Sequence, residues 1–371
     1  MYVHVPFCAH RCDYCDFATW TDRAHLMHDY TDACVRDLAA RRAEGHPPAT
    51  SVFFGGGTPS LLPAGELVRV LDAIERAPGA EVTVECNPDS VDAAKLRAYA
   101  AAGVNRLSFG AQSFSPHVLR ALGRTHDPAN VARAVALARD AGITDLNVDC
   151  IYGTPGETLD DWRRTLDAVV GLGVPHVSVY ALTVEPGTPL GRRVAAGAVP
   201  APDDDDQADG YLLADEVLGA AGYEWYEISN FARPGAQCRH NRCYWEQGEY
   251  LGIGCAAHGH TGGRRWWNVR TPERYVARVA AGRSPEAGHE RLDGAARAEE
   301  ALQLALRTRR GAGVAGPAVE ELRAAGLLEP GPGPAVLTRR GRLLASEVTA
   351  RLALALAAGT ARAGGAGVRV P

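Results

Sequence analysis

The stretch Tyr2-Val3-His4-Val5-Pro6-Phe7-Cys8-Ala9-His10-Arg11-Cys12-Asp13-Tyr14-Cys15-Asp16-Phe17 decides how the rest of the chain is read. Its cysteines have the spacing C-x3-C-x2-C. Soft thiolates at such short range select zinc or iron–sulfur. A structural zinc ion takes four ligands, so His4 or His10 would have to supply the fourth, and paired C-x2-C knuckles are its usual source. Three thiolates suit a cubane 4Fe-4S cluster, in which each holds one iron and the fourth iron stays open to a small ligand. Tyr14 and Phe17 flank the last cysteine and suit the apolar surround that tunes such a cluster.

Beyond Phe17, strand and helix patterns alternate. Strands are expected over 52–54, 81–86, 106–109, 145–151 and 176–182. Helices are expected over 66–77, 91–102, 129–141 and 159–172. This alternation is the signature of an α/β fold with a mostly parallel sheet. Polar or glycine-containing segments follow the strands: Gly55–Thr58, Glu85–Pro88, Gly110–Gln112, Asp149–Thr154 and Thr183–Gly187. In parallel sheets the C-terminal strand ends face the ligand, so these segments are expected on one rim. The pattern fits a six-stranded partial barrel and a closed eight-stranded one equally well. From about residue 285 the chain reads as helical and alanine-rich, and residues 326–344 resemble a small helix-plus-wing unit. Three regions are expected: a core over 1–200, a barrel extension over 201–284 and a C-terminal unit over 285–371.

The chain has 371 residues, 46% of them hydrophobic and 22% charged, with a formal charge of -5. That is the balance of a globular protein, and it carries no basic domain for a nucleic-acid partner. Nine cysteines, an odd number, argue against a disulfide framework. The first cysteine stands at position 8, which leaves no room for a signal peptide ahead of it. No apolar run reaches the roughly 20 residues of a membrane span. The expected location is the cytoplasm.

The C-x3-C-x2-C motif closely resembles the radical S-adenosylmethionine superfamily. That resemblance implies a partial (β/α)6 TIM-like barrel. It also implies a 4Fe-4S cluster on Cys8, Cys12 and Cys15, whose open iron is chelated by the methionine part of S-adenosylmethionine. Further motifs are similar to the oxygen-independent coproporphyrinogen III oxidase group. They include Tyr2-x-His4-x-Pro6-Phe7-Cys8, Phe54-Gly55-Gly56-Gly57-Thr58-Pro59, Glu85-Cys86-Asn87-Pro88, Ser108-Phe109-Gly110-Ala111-Gln112 and Leu122-Gly123-Arg124-Thr125-His126. Asn147-Val148-Asp149 and Gly153-Thr154-Pro155-Gly156-Glu157-Thr158 belong to the same set. The resemblance implies cofactor contacts from Tyr2, Gly56, Gly57, Thr58, Glu85, Gln112, Arg124 and Asp149.

Decarboxylating oxidases of the group read C-x3-C-x2-C-x-C, and Phe17 stands where their fourth cysteine would be. The chain thereby resembles the group's heme chaperone branch. The runs Cys238-Arg239-His240-Asn241-Arg242-Cys243-Tyr244-Trp245 and Tyr250-Leu251-Gly252-Ile253-Gly254-Cys255-Ala256-Ala257-His258 are similar to that branch. The branch implies heme binding and delivery to an acceptor such as a respiratory hemoprotein, including acceptors at the membrane periphery. It also implies an electron donor for the cluster. His240 is the candidate heme ligand, with Tyr244 and Trp245 lining an apolar face. The alternative places His240 and Asn241 as caps of a buried turn. Porphyrinogen decarboxylation is the competing activity, and whether radical cleavage serves the function is left open.

Overall fold

A computed structural model describes residues 1–359 and 361–363. Thr360 and residues 364–371, within the expected C-terminal unit, lie outside the described residues. The chain alternates β1 (Tyr2–Val5), α1 (Met27–Ala43), β2 (Ala49–Gly56), α2 (Ala64–Asp72), β3 (Arg76–Cys86), α3 (Ala93–Ala101) and β4 (Arg106–Gln112). It continues through α4 (Pro116–Ala121), α5 (Ala129–Asp140), β5 (Asp145–Tyr152), α6 (Leu159–Leu172) and β6 (His176–Ala181). Each of β1 to β6 pairs in parallel with the next.

After α7 (Pro189–Ala195) and α8 (Asp204–Ala220), strands β7 (Glu224–Glu227) and β8 (Asn230–Ala232) extend the sheet antiparallel beyond β6. Following α9 (Arg239–Trp245), β9 (Gly252–Ile253) adds in parallel to the free edge of β1. The order is β7-β8-β6-β5-β4-β3-β2-β1-β9, with β7 and β9 as unjoined ends. The barrel is therefore partial, which decides between the two forms the strand pattern allowed.

Side-chain alternation separates two environments. Val3, Phe54, Val84, Leu107, Val148 and Val177 enter one apolar core with Leu67, Leu96, Val131 and Leu166 of the helices. The opposite, concave face is polar. Glu85, Ser108, Asn147 and His176 stand side by side across β3 to β6. A fully apolar layer would have stabilised the barrel by about 1.5–3 kcal/mol per buried side chain, and these strands forgo it on one face.

Local signals set the element ends. Thr158 accepts from the Asp161 amide and Asp161 bonds back to Thr158, a capping box that starts α6. Elements beyond the alternation read from the sequence include β1, α1 and α4. The helix expected over 66–77 stops at Asp72, and residues 76–80 join β3 instead. Pro78 disfavours helical backbone at Ala77. Residues 286–291 form a strand rather than the start of a helix. Together β10 (His258–Thr261), β11 (Arg264–Asn268) and β12 (Glu286–Arg291) make a small antiparallel sheet. Cross-strand ion pairs Arg264–Glu286 and Arg265–Glu290 hold this polar strand, which shows no apolar alternation.

The C-terminal unit holds a separate core of Leu302, Val319, Leu322, Leu337, Val348 and Leu352. It docks on the barrel through Arg342, which bonds Asp215 at 2.7 Å and lies over the Trp225 ring, and through Arg307 on Glu227.

Candidate functional site

The loop after β1 carries the three cysteines, and the end of β2 clamps it. Gly57 N–H donates to Val5 C=O and Thr58 N–H to Phe7 C=O, both at 2.8 Å. A Cβ on Gly57 would lie 2.7 Å from the Phe7 carbonyl and 3.1 Å from Cys8 Sγ, so only glycine allows this approach. Gly56 has φ of +110°, and a Cβ there would strike the His4 ring at 2.4 Å. His4 Nε2 bonds the Ala18 carbonyl at 2.9 Å, so Nδ1 is left to accept from Tyr2 Oη at 3.1 Å. Burial holds the His4 imidazole neutral, down at about 4.

Polar donors surround the thiols. Thr58 Oγ1 donates to Cys8 Sγ at 3.7 Å, and Arg124 Nη1 to Cys12 Sγ at 3.4 Å. Burial pushes the Cys15 thiol up to about 11, against the Phe17 amide that pulls it down. Among the described residues no three His, Cys, Asp or Glu side chains converge closely enough to chelate one ion. A single tetrahedral zinc needs that convergence. A cubane takes one thiolate at each iron corner and needs the sulfurs spread, so the triad fits a cluster.

Next to the cluster loop lies the polar concave face. Glu85 Oε2 accepts from Gly56 N–H at 3.2 Å. Burial first, then the negative charge of Asp149, pushes Glu85 up to about 8. Burial raises Asp149 as well, against donors Ser108 Oγ at 2.7 Å and Asn147 Nδ2 at 2.8 Å. Two half-buried carboxylates close enough to repel each other suit a cationic ligand, and S-adenosylmethionine carries both a sulfonium and an ammonium. Arg124 Nη2 donates to Gly110 C=O at 2.6 Å, while its buried Nε has no partner among the described residues. That free donor suits the ligand's carboxylate. Gln112 sits at φ of +63°, a backbone state rare outside glycine. It lies beside Gly110 and Arg124.

His240 lies elsewhere. It is buried on α9, its ring stacked on Phe53 at 5.1 Å between centroids. Nδ1 bonds Ser51 Oγ and Nε2 bonds Tyr244 Oη, each at 2.9 Å. Its backbone N–H and that of Arg239 donate to Glu81, each at 2.9 Å. Tyr244 points onward into a cleft of about 380 Å³ that Tyr2, His4, Phe17, Tyr250 and His258 also line. Phe17 is 59% exposed there.

Comparison with known proteins places this architecture. Residues 2–169 match the model of the radical SAM superfamily. The fold resembles the coproporphyrinogen III oxidase of Escherichia coli with a TM-score of 0.82 at 23% identity, over 94% of this chain and 88% of that one. The heme chaperone HemW of Mycobacterium tuberculosis is 45% identical over 367 residues, covering 95% of this chain and 94% of its own. That of Bacillus subtilis is 33% identical, covering 94% and 97%.

The chain belongs to the HemW heme chaperone family. Membership in the radical SAM superfamily implies the 4Fe-4S cluster and S-adenosylmethionine, and the residues just described fit both. A mouse relative, the mitochondrial radical S-adenosyl methionine domain-containing protein 1, is 41% identical over 70% of this chain.

Within this HemW-family fold, the structure brings Tyr2, Gly56, Gly57, Thr58 and Glu85 to one rim with Cys8, and Gln112 and Arg124 beside Cys12. Asp149 joins them through Ser108 and its effect on Glu85. His240 is not among them. In this conformation both of its ring nitrogens are hydrogen-bonded, to Ser51 and Tyr244, and neither lies open. Sequence reasoning gave no role to Ser108 or Asn147; alternation with Asp149 along β5 is the signal that would have found Asn147. His126 is buried. No helix among the described residues is long and apolar enough to cross a membrane.

Proposed function

We propose that the protein binds heme and passes it to an acceptor hemoprotein, keeping a 4Fe-4S cluster and exchangeable S-adenosylmethionine at the barrel rim. The observation that carries this reading is similarity along nearly the whole chain to proteins named heme chaperones. Phe17, where an oxidase of the group has a cysteine, supports it.

In this reading Cys8, Cys12 and Cys15 hold the cluster. Gly56, Gly57 and Thr58 present backbone and hydroxyl groups to the methionyl end of the cofactor. Arg124 takes its carboxylate, Glu85 and Asp149 balance its positive charge, and Gln112 and Tyr2 border it. Bound cofactor supplies a group that an electron from the cluster can cleave. The residues themselves orient it and keep water away. His240 holds Tyr244 and Ser51 in place rather than binding iron. Respiratory hemoproteins, including membrane-associated ones, are the acceptors in this reading, a cytoplasmic electron donor serves the cluster, and nucleic acid plays no part.

The test is anaerobic reconstitution with iron and sulfide, followed by heme titration and a coproporphyrinogen turnover assay on one sample. Stoichiometric heme binding without decarboxylation is expected. Catalytic formation of protoporphyrinogen would overturn the reading in favour of an oxygen-independent coproporphyrinogen III oxidase.

A further inference from the structure

We infer that heme sits in the cleft between the cluster loop and β10, with His258 as a ligand of its iron. This rests on the heme-binding reading above and adds the place and the ligand.

The histidines near the rim differ in what their nitrogens do. His4 has both engaged, by Tyr2 and Ala18, and His240 has both engaged, by Ser51 and Tyr244. His260 binds the Gly248 carbonyl through Nδ1, and its Nε2 is sealed from solvent. His258 alone of these four is exposed and lines the cleft, and among the described residues its ring makes no hydrogen bond or ion pair. The half-burial of its ring, then the charge of Arg265, lowers its basicity and favours the neutral imidazole. A neutral imidazole with a free nitrogen is what heme iron takes.

The cleft around it suits a flat aromatic ligand. Tyr2, Tyr244 and Tyr250 supply rings, and Phe17 offers an exposed apolar face. Its volume of about 380 Å³ falls in the range of about 300–1,000 Å³ usual for small-molecule sites. Every lining group belongs to the cluster loop, β1, β2, or the segment from α9 to β10. Tyr2 and Gly56 also border the S-adenosylmethionine site, so the two ligands adjoin there, while Gln112 and Asp149 of β4 and β5 lie outside the cleft.

The wall carrying His258 is held rigidly. A Cβ on Gly252 would lie 2.1 Å from the His258 carbonyl, so the two backbones touch. Ala256, also in the wall, has φ of +54°. Left-handed backbone at a residue with a side chain is unfavourable and persists where surrounding structure enforces it. The Trp267 ring lies 6.1 Å from that of His258 and limits its swing. Phe17 then has a physical role: it closes the cluster-loop side of the cleft with an apolar surface.

The experiment titrates hemin into the anaerobically reconstituted full-length protein and reads absorbance, electron paramagnetic resonance and resonance Raman spectra. Wild type is expected to show histidine-ligated iron. His258→Ala should lose that signature and bind about tenfold or more weakly, and added imidazole should restore the signature. His240→Gln should keep it. Phe17→Asp should weaken hemin binding by more than any loss of iron and sulfide measured on the same sample accounts for. Both His258 and Phe17 are exposed, and matching thermal transitions would show that these variants fold. An unaltered signature in His258→Ala would overturn the ligand assignment and leave heme binding standing. Unaltered affinity in Phe17→Asp would overturn the cleft. Failure of wild type to bind hemin would overturn the chaperone reading itself, and this inference with it.

Discussion

His4 Nε2 donates to the carbonyl of Ala18 at 2.9 Å, tying the first strand to the far end of the cysteine loop. The loop therefore has two anchors. One is the Gly57–Thr58 backbone under Cys8, and the other is this imidazole beyond Cys15. His4→Ala removes the second and strands the Tyr2 hydroxyl, at a cost of about 1–3 kcal/mol for the unmet polar groups. The variant should load iron and sulfide normally but lose them faster to a chelator. Equal loss rates would show that the glycine clamp suffices.

The raised pKa of Glu85 sets a pH dependence. In the ligand-free fold it holds its proton up to about 8, whereas the unfolded carboxyl releases it near 4.5. Folded protein thus binds the extra proton between those values, and stability falls as pH rises through that window. A cationic ligand favours the ionised form, so binding expels the proton. S-adenosylmethionine affinity should rise with pH and level off above about 8. Glu85→Gln should flatten both profiles. Thermal midpoints and calorimetry in buffers of different ionisation enthalpy measure them, and a pH-independent affinity in wild type would refute the assignment.

Arg124 spends one nitrogen on Cys12 and one on Gly110, and keeps Nε without a partner among the described residues. Arg124→Ala should weaken S-adenosylmethionine binding about tenfold or more, by loss of a charge-assisted bond. Lysine should recover only part, because it lacks the planar fork. Cluster content measured alongside should stay near wild type. Undiminished binding in the alanine variant would remove Arg124 from the site.

Glu227 is fully buried, and its Oε1 accepts from Arg307 of the C-terminal unit at 2.7 Å. Its other oxygen accepts from Ser229 N–H and Asn230 Nδ2. Removing the guanidinium leaves a buried carboxylate short of its counter-charge, a loss of about 3 kcal/mol. Arg307→Ala should lower the denaturant midpoint and expose the C-terminal unit to protease first. Simultaneous, unshifted unfolding of the whole chain would mean that the Arg342 contacts carry the docking.

Much of the rim was legible in the chain order. Gly57 and Thr58 follow an apolar strand, and glycine there announces a close backbone approach. Asp149 lies in the C-terminal half of another strand, and its carboxylate faces the same side as Asn147 by alternation. The bracing of Asp149 by Ser108 was not legible, because it depends on which residues of β4 and β5 stand opposite each other. Strand β12 and the early end of α2 were missed for a related reason: cross-strand ion pairs and a proline decide them, not hydrophobic period.

The sequence by itself determined the chemistry available at the rim: three thiolates at cluster spacing, a phenylalanine where a fourth could stand, and alternating strands that carry polar ends. These are properties of neighbours along the chain, so spacing alone reveals them. Only the tertiary structure decided which histidine nitrogens are free. His240 looked the better ligand from its motif, yet Ser51, far away in the chain, occupies one side of its ring, while the exposed His258 ring meets no hydrogen-bond partner among the described residues. A ring's availability depends on what folds against it, and those partners are distant in sequence.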